Sequence, residues 1–82
     1  MRFYVYILYS EAYDRFYVGQ TNDIIGRLQR HNSKLVQSTA PYAPWTLKCK
    51  IEKSSRSEAV VLERKLKNLS KQRLIAFINK YS

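Results

Sequence analysis

RFYVYILYSEAYDRFYVGQ, residues 2–20, holds two tyrosine-rich runs separated by a short polar break. Arg2 to Ser10 is dense in Tyr, Val, Ile and Leu, residues that favour pleated structure. Apolar side chains fall on both parities of the run, so it reads as a central strand covered on both faces. Glu11-Ala12-Tyr13-Asp14 forms the turn, and Arg15 to Gln20 is a second strand. So short a link makes the pair an antiparallel hairpin. Gly19 ends it, where the backbone needs a positive φ or where another stretch of backbone must approach closely.

Beyond the hairpin the period changes. Ile24, Leu28 and His31 recur at helical spacing, with Thr21, Asn22 or Asp23 as the N-cap and Asn32-Ser33 as the stop. Gly26 weakens that helix by about 1 kcal/mol relative to alanine. Residues 34–44 read as a loop, because Pro41 and Pro44 bar regular pairing. Trp45 to Lys53 alternates Trp45, Leu47, Cys49 and Ile51 against Thr46, Lys48, Lys50 and Glu52, the pattern of a strand with one wet face. Ser55-Arg56-Ser57-Glu58 is a capping box opening a helix whose Ala59, Leu62, Leu66 and Leu69 share a stripe. That helix should end near Asn68 or Leu69. Ser70 then caps a last helix, with Leu74, Phe77 or Ile78, and Tyr81 facing inward. The order is β-β-α-β-α-α: an α+β fold with a three-stranded antiparallel sheet flanked by helices, one domain over residues 1–82.

Composition narrows the functional classes. One cysteine, Cys49, excludes an internal disulfide, points to a reducing, cytoplasmic setting and, with one histidine, excludes a Cys/His zinc cage. No segment is long enough to span a bilayer, and no signal peptide is expected of the short run Phe3 to Tyr9. Fifteen Lys and Arg against six Asp and Glu leave a formal charge of +9. So large an excess favours a polyanionic partner, above all nucleic acid, over mere solubility. Most of it falls from Lys53 onward, so the C-terminal helices are the expected electrostatic footprint, with Lys65, Lys67, Lys71 and Arg73 as candidate backbone contacts.

Five residues could carry chemistry. The hairpin brings Tyr6 and Tyr17 to one patch, where a phenol can exchange a proton or hold water or phosphate. Each tyrosine taken alone reads first as a core body with a wet tip. Arg27 and His31 lie four apart on one helix face; an arginine can grip two phosphate oxygens, and the histidine could as well be a satisfied polar edge of the core. Glu63 borders the apolar stripe of its helix. A carboxylate there is a candidate ligand for a hard cation, and the plain alternative is an i,i+4 pair with Lys67.

In order and at these spacings, the set resembles the GIY-YIG nuclease domain in its small bacterial form, similar to the N-terminal nuclease domain of the excision-repair C subunit. Val5-Tyr6-Ile7-Leu8 matches the first motif, with Tyr4 in place of its usual glycine, and Tyr17-Val18-Gly19 matches the second. Arg27 falls on the family arginine, His31-Asn32 on the end of its helix, and SRSEAVVLERKLK on the helix that carries the metal-binding glutamate, here Glu63. The resemblance implies DNA phosphodiester hydrolysis with one Mg2+ or Mn2+ held by Glu63. Tyr6 would be general base through Tyr17 or His31, Arg27 would stabilise the pentacovalent phosphorus, Tyr17 would orient water or phosphate, and Gly19 would admit close backbone. An ordinary phenol is a poor base at neutral pH, so Arg27 and the metal are expected to favour its phenolate. The late supporting polar residue would be Asn79, or else Asn68. Larger relatives take target choice from extra DNA-binding domains; none is readable in these 82 residues, so selectivity for branched, flapped or damaged DNA in repair or recombination is expected. A monomer is expected, with a repair protein as a conceivable partner. The alternative is a non-catalytic module of the same fold that binds nucleic acid or a repair complex.

Overall fold

The computed structural model describes residues 2–82. Strands β1 (Phe3–Ser10), β2 (Arg15–Thr21) and β3 (Thr46–Lys53) form one antiparallel sheet in the order β2-β1-β3. Helices α1 (Ile24–Asn32), α2 (Arg56–Lys67) and α3 (Lys71–Tyr81) complete the order read from the sequence. β1 is the central strand, and its run Val5 to Leu8 is buried on both faces. Val5 and Ile7 pack with Val18, Cys49, Ala59, Leu66 and Leu74, so α2 and α3 cover that side. Tyr6 and Leu8 pack with Trp45, Ile24 and Leu28, so α1 covers the other. Continuous apolar character in β1 therefore has a physical cause: neither side of the strand meets water.

β3 departs from the expected single wet face. Ile7 pairs with Cys49 but Leu8 pairs with Leu47, so the register slips at Lys48. This bulge reverses the parity of the strand. Trp45 and Leu47 join the Tyr6 side, whereas Cys49 and Ile51 join the Val5 side. The alternation in the sequence is real, since Thr46, Lys48, Lys50 and Glu52 stay exposed, but it feeds two cores instead of one.

The helix ends follow local chemistry. Asp23 is the N-cap of α1, its carboxylate accepting from the Gly26 N–H at 3.1 Å. A Cβ at position 26 would run into that carboxylate, so glycine here keeps the cap. Ser55 caps α2 by accepting from the Glu58 N–H, but the Glu58 carboxylate accepts from the Ser54 hydroxyl at 2.6 Å, one residue earlier than a reciprocal capping box requires. Ser70 caps α3 as expected. Tyr81 does not face inward: it is half exposed at the end of α3, where Phe77 and Ile78 both reach the core instead. Among the described residues no helix is long and apolar enough to cross a membrane.

The segment after α1 is more ordered than a plain loop. It contains a 3-10 turn, Ala40–Tyr42, and polar side chains tie it down. The buried Ser10 hydroxyl donates to the Tyr42 carbonyl at 2.6 Å, and the Trp45 indole N–H donates to the Thr39 carbonyl at 3.0 Å. The Asn32 amide makes a two-way clamp, accepting from the Trp45 N–H at 2.5 Å and donating to the Trp45 carbonyl at 3.0 Å. It joins the end of α1 to the residue that opens β3. Asn32→Ala removes both bonds and leaves the Trp45 backbone unpartnered, so we expect a loss of about 1–3 kcal/mol in chemical denaturation. A change within a few tenths of a kcal/mol would show that the clamp contributes nothing.

Candidate active site

The hairpin register builds the site. Tyr6 lies opposite Gly19, and Leu8 lies opposite Tyr17, so Tyr6 and Tyr17 are diagonal neighbours on one face of the sheet. Their ring centroids are 6.3 Å apart. Gly19 does not take a positive φ, and the close approach it admits is a side chain, correcting both readings of the sequence. A Cβ at position 19 would stand 2.5 Å from the Tyr6 hydroxyl and 2.6 Å from Cζ. The absent side chain is the slot that the Tyr6 ring occupies.

From the facing helix comes His31, fully buried. Its Nε2 is 3.0 Å from the Tyr6 hydroxyl, and its Nδ1 is 2.8 Å from Thr39 Oγ1. The Thr39 hydroxyl donates to the Val36 carbonyl at 3.3 Å. Thr39 Oγ1 therefore accepts from Nδ1–H, and Nε2 is left as the acceptor for the Tyr6 O–H. The Tyr17 ring lies 4.9 Å from the imidazole, centroid to centroid, and closes its flank. Hydrogen bonds thus run in one direction, Tyr6 to His31 to Thr39 to Val36.

Burial sets the protonation states. It pushes the Tyr6 phenol well above its ordinary value; facing Tyr17 adds to the rise, Arg27 opposes it, and Glu63 adds a smaller rise. Arg27 acts in the expected direction, favouring the phenolate, but desolvation of the anion outweighs one exposed guanidinium. Burial also holds His31 below its ordinary 6.5, and Arg27 and Arg30 act in the same direction. Near neutral pH the pair is therefore a phenol donating to a neutral imidazole. Arg27 from α1 and Glu63 from α2 both act electrostatically on Tyr6, in opposite directions.

A family model of the GIY-YIG catalytic domain matches residues 2–81. The chain belongs to the GIY-YIG family of nuclease domains. Among solved structures it is similar to the UPF0213 protein BH0048 from Bacillus halodurans, determined by solution NMR. The two are 30% identical with a TM-score of 0.62, over 96% of this chain and 84% of that one. The comparison with curated proteins finds no match.

In this GIY-YIG domain the donor set can be tested against the metal that the family implies. No cluster of three or more His, Cys, Asp or Glu occurs among the described residues, which does not suit zinc. Glu63 is a single sheltered carboxylate, its side chain 17% exposed. That suits magnesium or manganese, which take one or two carboxylates and complete their shells with water and phosphate oxygens. Glu63 also makes the i,i+4 pair with Lys67, at 3.1 Å, which is the plain alternative read from the sequence.

The other candidates are more dispersed. Lys71 pairs with Asp14 across the molecule, and Lys67 pairs with Glu63, so two of the four proposed backbone contacts already have carboxylate partners. Lys65 and Arg73 line a groove between α2 and α3 with Lys80 and Tyr81. Asn79 is exposed in a groove with Tyr9, Phe16 and Lys48, away from the Tyr6 cluster, and Asn68 is exposed at the C-cap of α2. Sequence reasoning missed Thr39, whose contact with His31 spans a loop and leaves no periodic trace. It also missed Arg56, which a helical wheel places on the stripe of Glu63 and Lys67, at spacings of seven and four.

Gly19→Ala tests the slot directly. The added methyl must displace the Tyr6 ring, so we expect a loss of about 1–3 kcal/mol in denaturation, together with a shifted His31 imidazole signal in NMR. An unchanged signal would mean that the ring does not depend on the slot.

Proposed function

We propose that this chain is a divalent-metal-dependent DNA endonuclease, acting on branched, flapped or damaged DNA in repair or recombination. The observation that carries the reading is the one-way hydrogen-bond chain from Tyr6 to His31 to Thr39, with Arg27 and Glu63 acting electrostatically on its phenol. A protonated phenol cannot be a base alone. It becomes one when its own proton moves on as another arrives. The attacking water gives its proton to the Tyr6 oxygen while the Tyr6 proton passes to His31 Nε2; the water oxygen bonds to phosphorus, and the bond to the leaving oxygen breaks. His31 then carries an imidazolium with Nδ1–H held by Thr39, and burial favours its prompt discharge: Nε2–H returns a proton to the Tyr6 oxygen as Tyr6 releases its own to solvent, and the leaving oxygen takes a proton from water. Tyr17, its ring 4.9 Å from the imidazole and tilted against it, orients water or phosphate. Arg27 offsets the charge that builds on the phosphoryl oxygens. A magnesium or manganese ion held by Glu63 supplies phosphate polarisation and leaving-group stabilisation.

Selectivity for structure over sequence follows from the contacts available. Lys and Arg on this surface reach phosphates, which position a duplex without reporting its bases. A second reading, a module that binds nucleic acid without cutting it, draws on the Glu63–Lys67 pair, which occupies the one carboxylate suited to the metal.

Incubation with plasmid, linear and branched DNA decides between the two. We expect nicking that requires Mg2+ or Mn2+, stops in chelator, and is lost in Glu63→Ala with binding retained. Tyr6→Phe and His31→Gln should each lower kcat/KM by roughly 10²–10⁴, the ordinary worth of a general base, and Arg27→Ala by about 10²–10³. DNA binding without nicking under any metal would establish the second reading. Full cleavage by Tyr6→Phe would eliminate the proton relay.

The pH profile is a further expectation. His31 must be neutral to accept the proton, and its pKa is depressed, so kcat/KM should stay level through neutrality. It should fall only below pH 6.5, as the imidazole becomes charged. Stability follows the same sign: the neutral imidazole's contribution is complete above the unfolded value and lost as pH falls through the folded one. His31→Gln should abolish the acid limb of the pH–rate profile.

A further inference from the structure

A cleft at the edge of the sheet, beside the Tyr6 cluster, is lined by Phe3, Gln20, Thr21, Asn22, Arg27 and Arg56. Two guanidinium groups from different helices share it. Both residues are exposed, and among the described residues neither forms an ion pair. No carboxylate lines the cleft. Two like charges at one polar cleft repel each other, and an anion between them converts that repulsion into two charge-assisted contacts. Arginine is the side chain best shaped for that task, since its fork matches two phosphate oxygens.

The position of Arg56 is set by the fold. Its guanidinium carbon lies 5.4 Å from the Phe3 ring centroid, so the start of β1 supports the side chain from below. Arg56 shares the α2 face that carries Glu63, and seven helical residues separate them by about 10 Å along the axis. Arg27 bridges the two places: it lines this cleft and also acts on the Tyr6 phenol.

We propose that Arg56, together with Arg27, forms a second anion subsite that grips a backbone phosphate flanking the one cut. The assignment of the cut phosphate rests on the nuclease reading above. Arg56 touches no reacting atom and is a positioning residue. Its contact sets where the strand lies across Tyr6 and Glu63.

The test is salt-dependent binding of a fluorescein-labelled three-way DNA junction in chelator, so that cutting plays no part. Arg56→Gln keeps the stem over Phe3 and removes the charge. We expect affinity to drop roughly tenfold and the slope of log K against log salt to fall by about one. Arg64→Gln, the same charge change at an exposed α2 residue outside the cleft, should leave the slope nearly unchanged. Arg56→Lys should keep most of the slope. In cleavage assays Arg56→Gln should raise KM in step with the binding loss and leave kcat within twofold of wild type. Equal slopes for Arg56→Gln and Arg64→Gln would overturn the subsite, as would a loss of kcat with KM unchanged. Inorganic phosphate that binds wild type but not Arg56→Gln, while leaving DNA affinity at equal ionic strength unchanged, would make this a free-phosphate site and overturn the backbone assignment. Thermal melts establish that the variants are folded; if Arg56→Gln melts early, Arg56→Met, which keeps the apolar stem over Phe3 and removes the charge, replaces it in the comparison with Arg64→Gln. If wild type cuts no DNA, the nuclease reading fails alone, because the slope in chelator still reports on Arg56.

Discussion

The burial of His31 between Tyr6 and Thr39 is the constraint on which the rest of the site depends. A fully buried imidazole left unsatisfied would cost about 1–3 kcal/mol for each orphaned nitrogen. Both nitrogens are satisfied, but the partners come from different parts of the chain: a central strand on one side and a loop eight residues downstream on the other. Meeting that demand pins α1 to the sheet, fixes the path of residues 34–44, and orders the Tyr6 hydroxyl. It also selects the tautomer, since the Thr39 hydroxyl already donates to a backbone carbonyl.

The same burial creates a tension between folding and chemistry. Desolvation raises the Tyr6 phenol and lowers His31, which stabilises the uncharged pair and opposes any simple phenolate. A site built this way favours proton transfer along a hydrogen bond over standing charge. The charged side chains lie further out: Arg27 and Arg56 are exposed and Glu63 is partly so, where solvent lowers the cost of charge. Thus the interior holds the uncharged hydrogen-bonded pair and the edge holds the formal charges.

Gly19 shows how little sequence separates the two roles of the hairpin. One side of β1 is ordinary core, Val5 and Ile7 against α2 and α3. The other is the same strand one residue out of phase, where Tyr6 lies across a position that has no side chain. The β3 bulge serves the same division, sending Trp45 and Leu47 to the Tyr6 side and Cys49 and Ile51 to the other.

Element order, strand centrality and helix caps were legible in the chain alone, because periodicity and capping are local and each is written within a few residues. So was the set of chemically capable side chains, Tyr6, Tyr17, Arg27, His31 and Glu63, since two of them share a hairpin and two a helix face. What the chain alone did not decide was contact across distance. The parity reversal in β3, the Thr39 anchor on His31, the outward turn of Tyr81, and the convergence of Arg27 with Arg56 all arise when separate elements pack. The protonation of Tyr6 belongs with them: how much water remains around a phenol depends on everything packed against it, and no local run of residues specifies that.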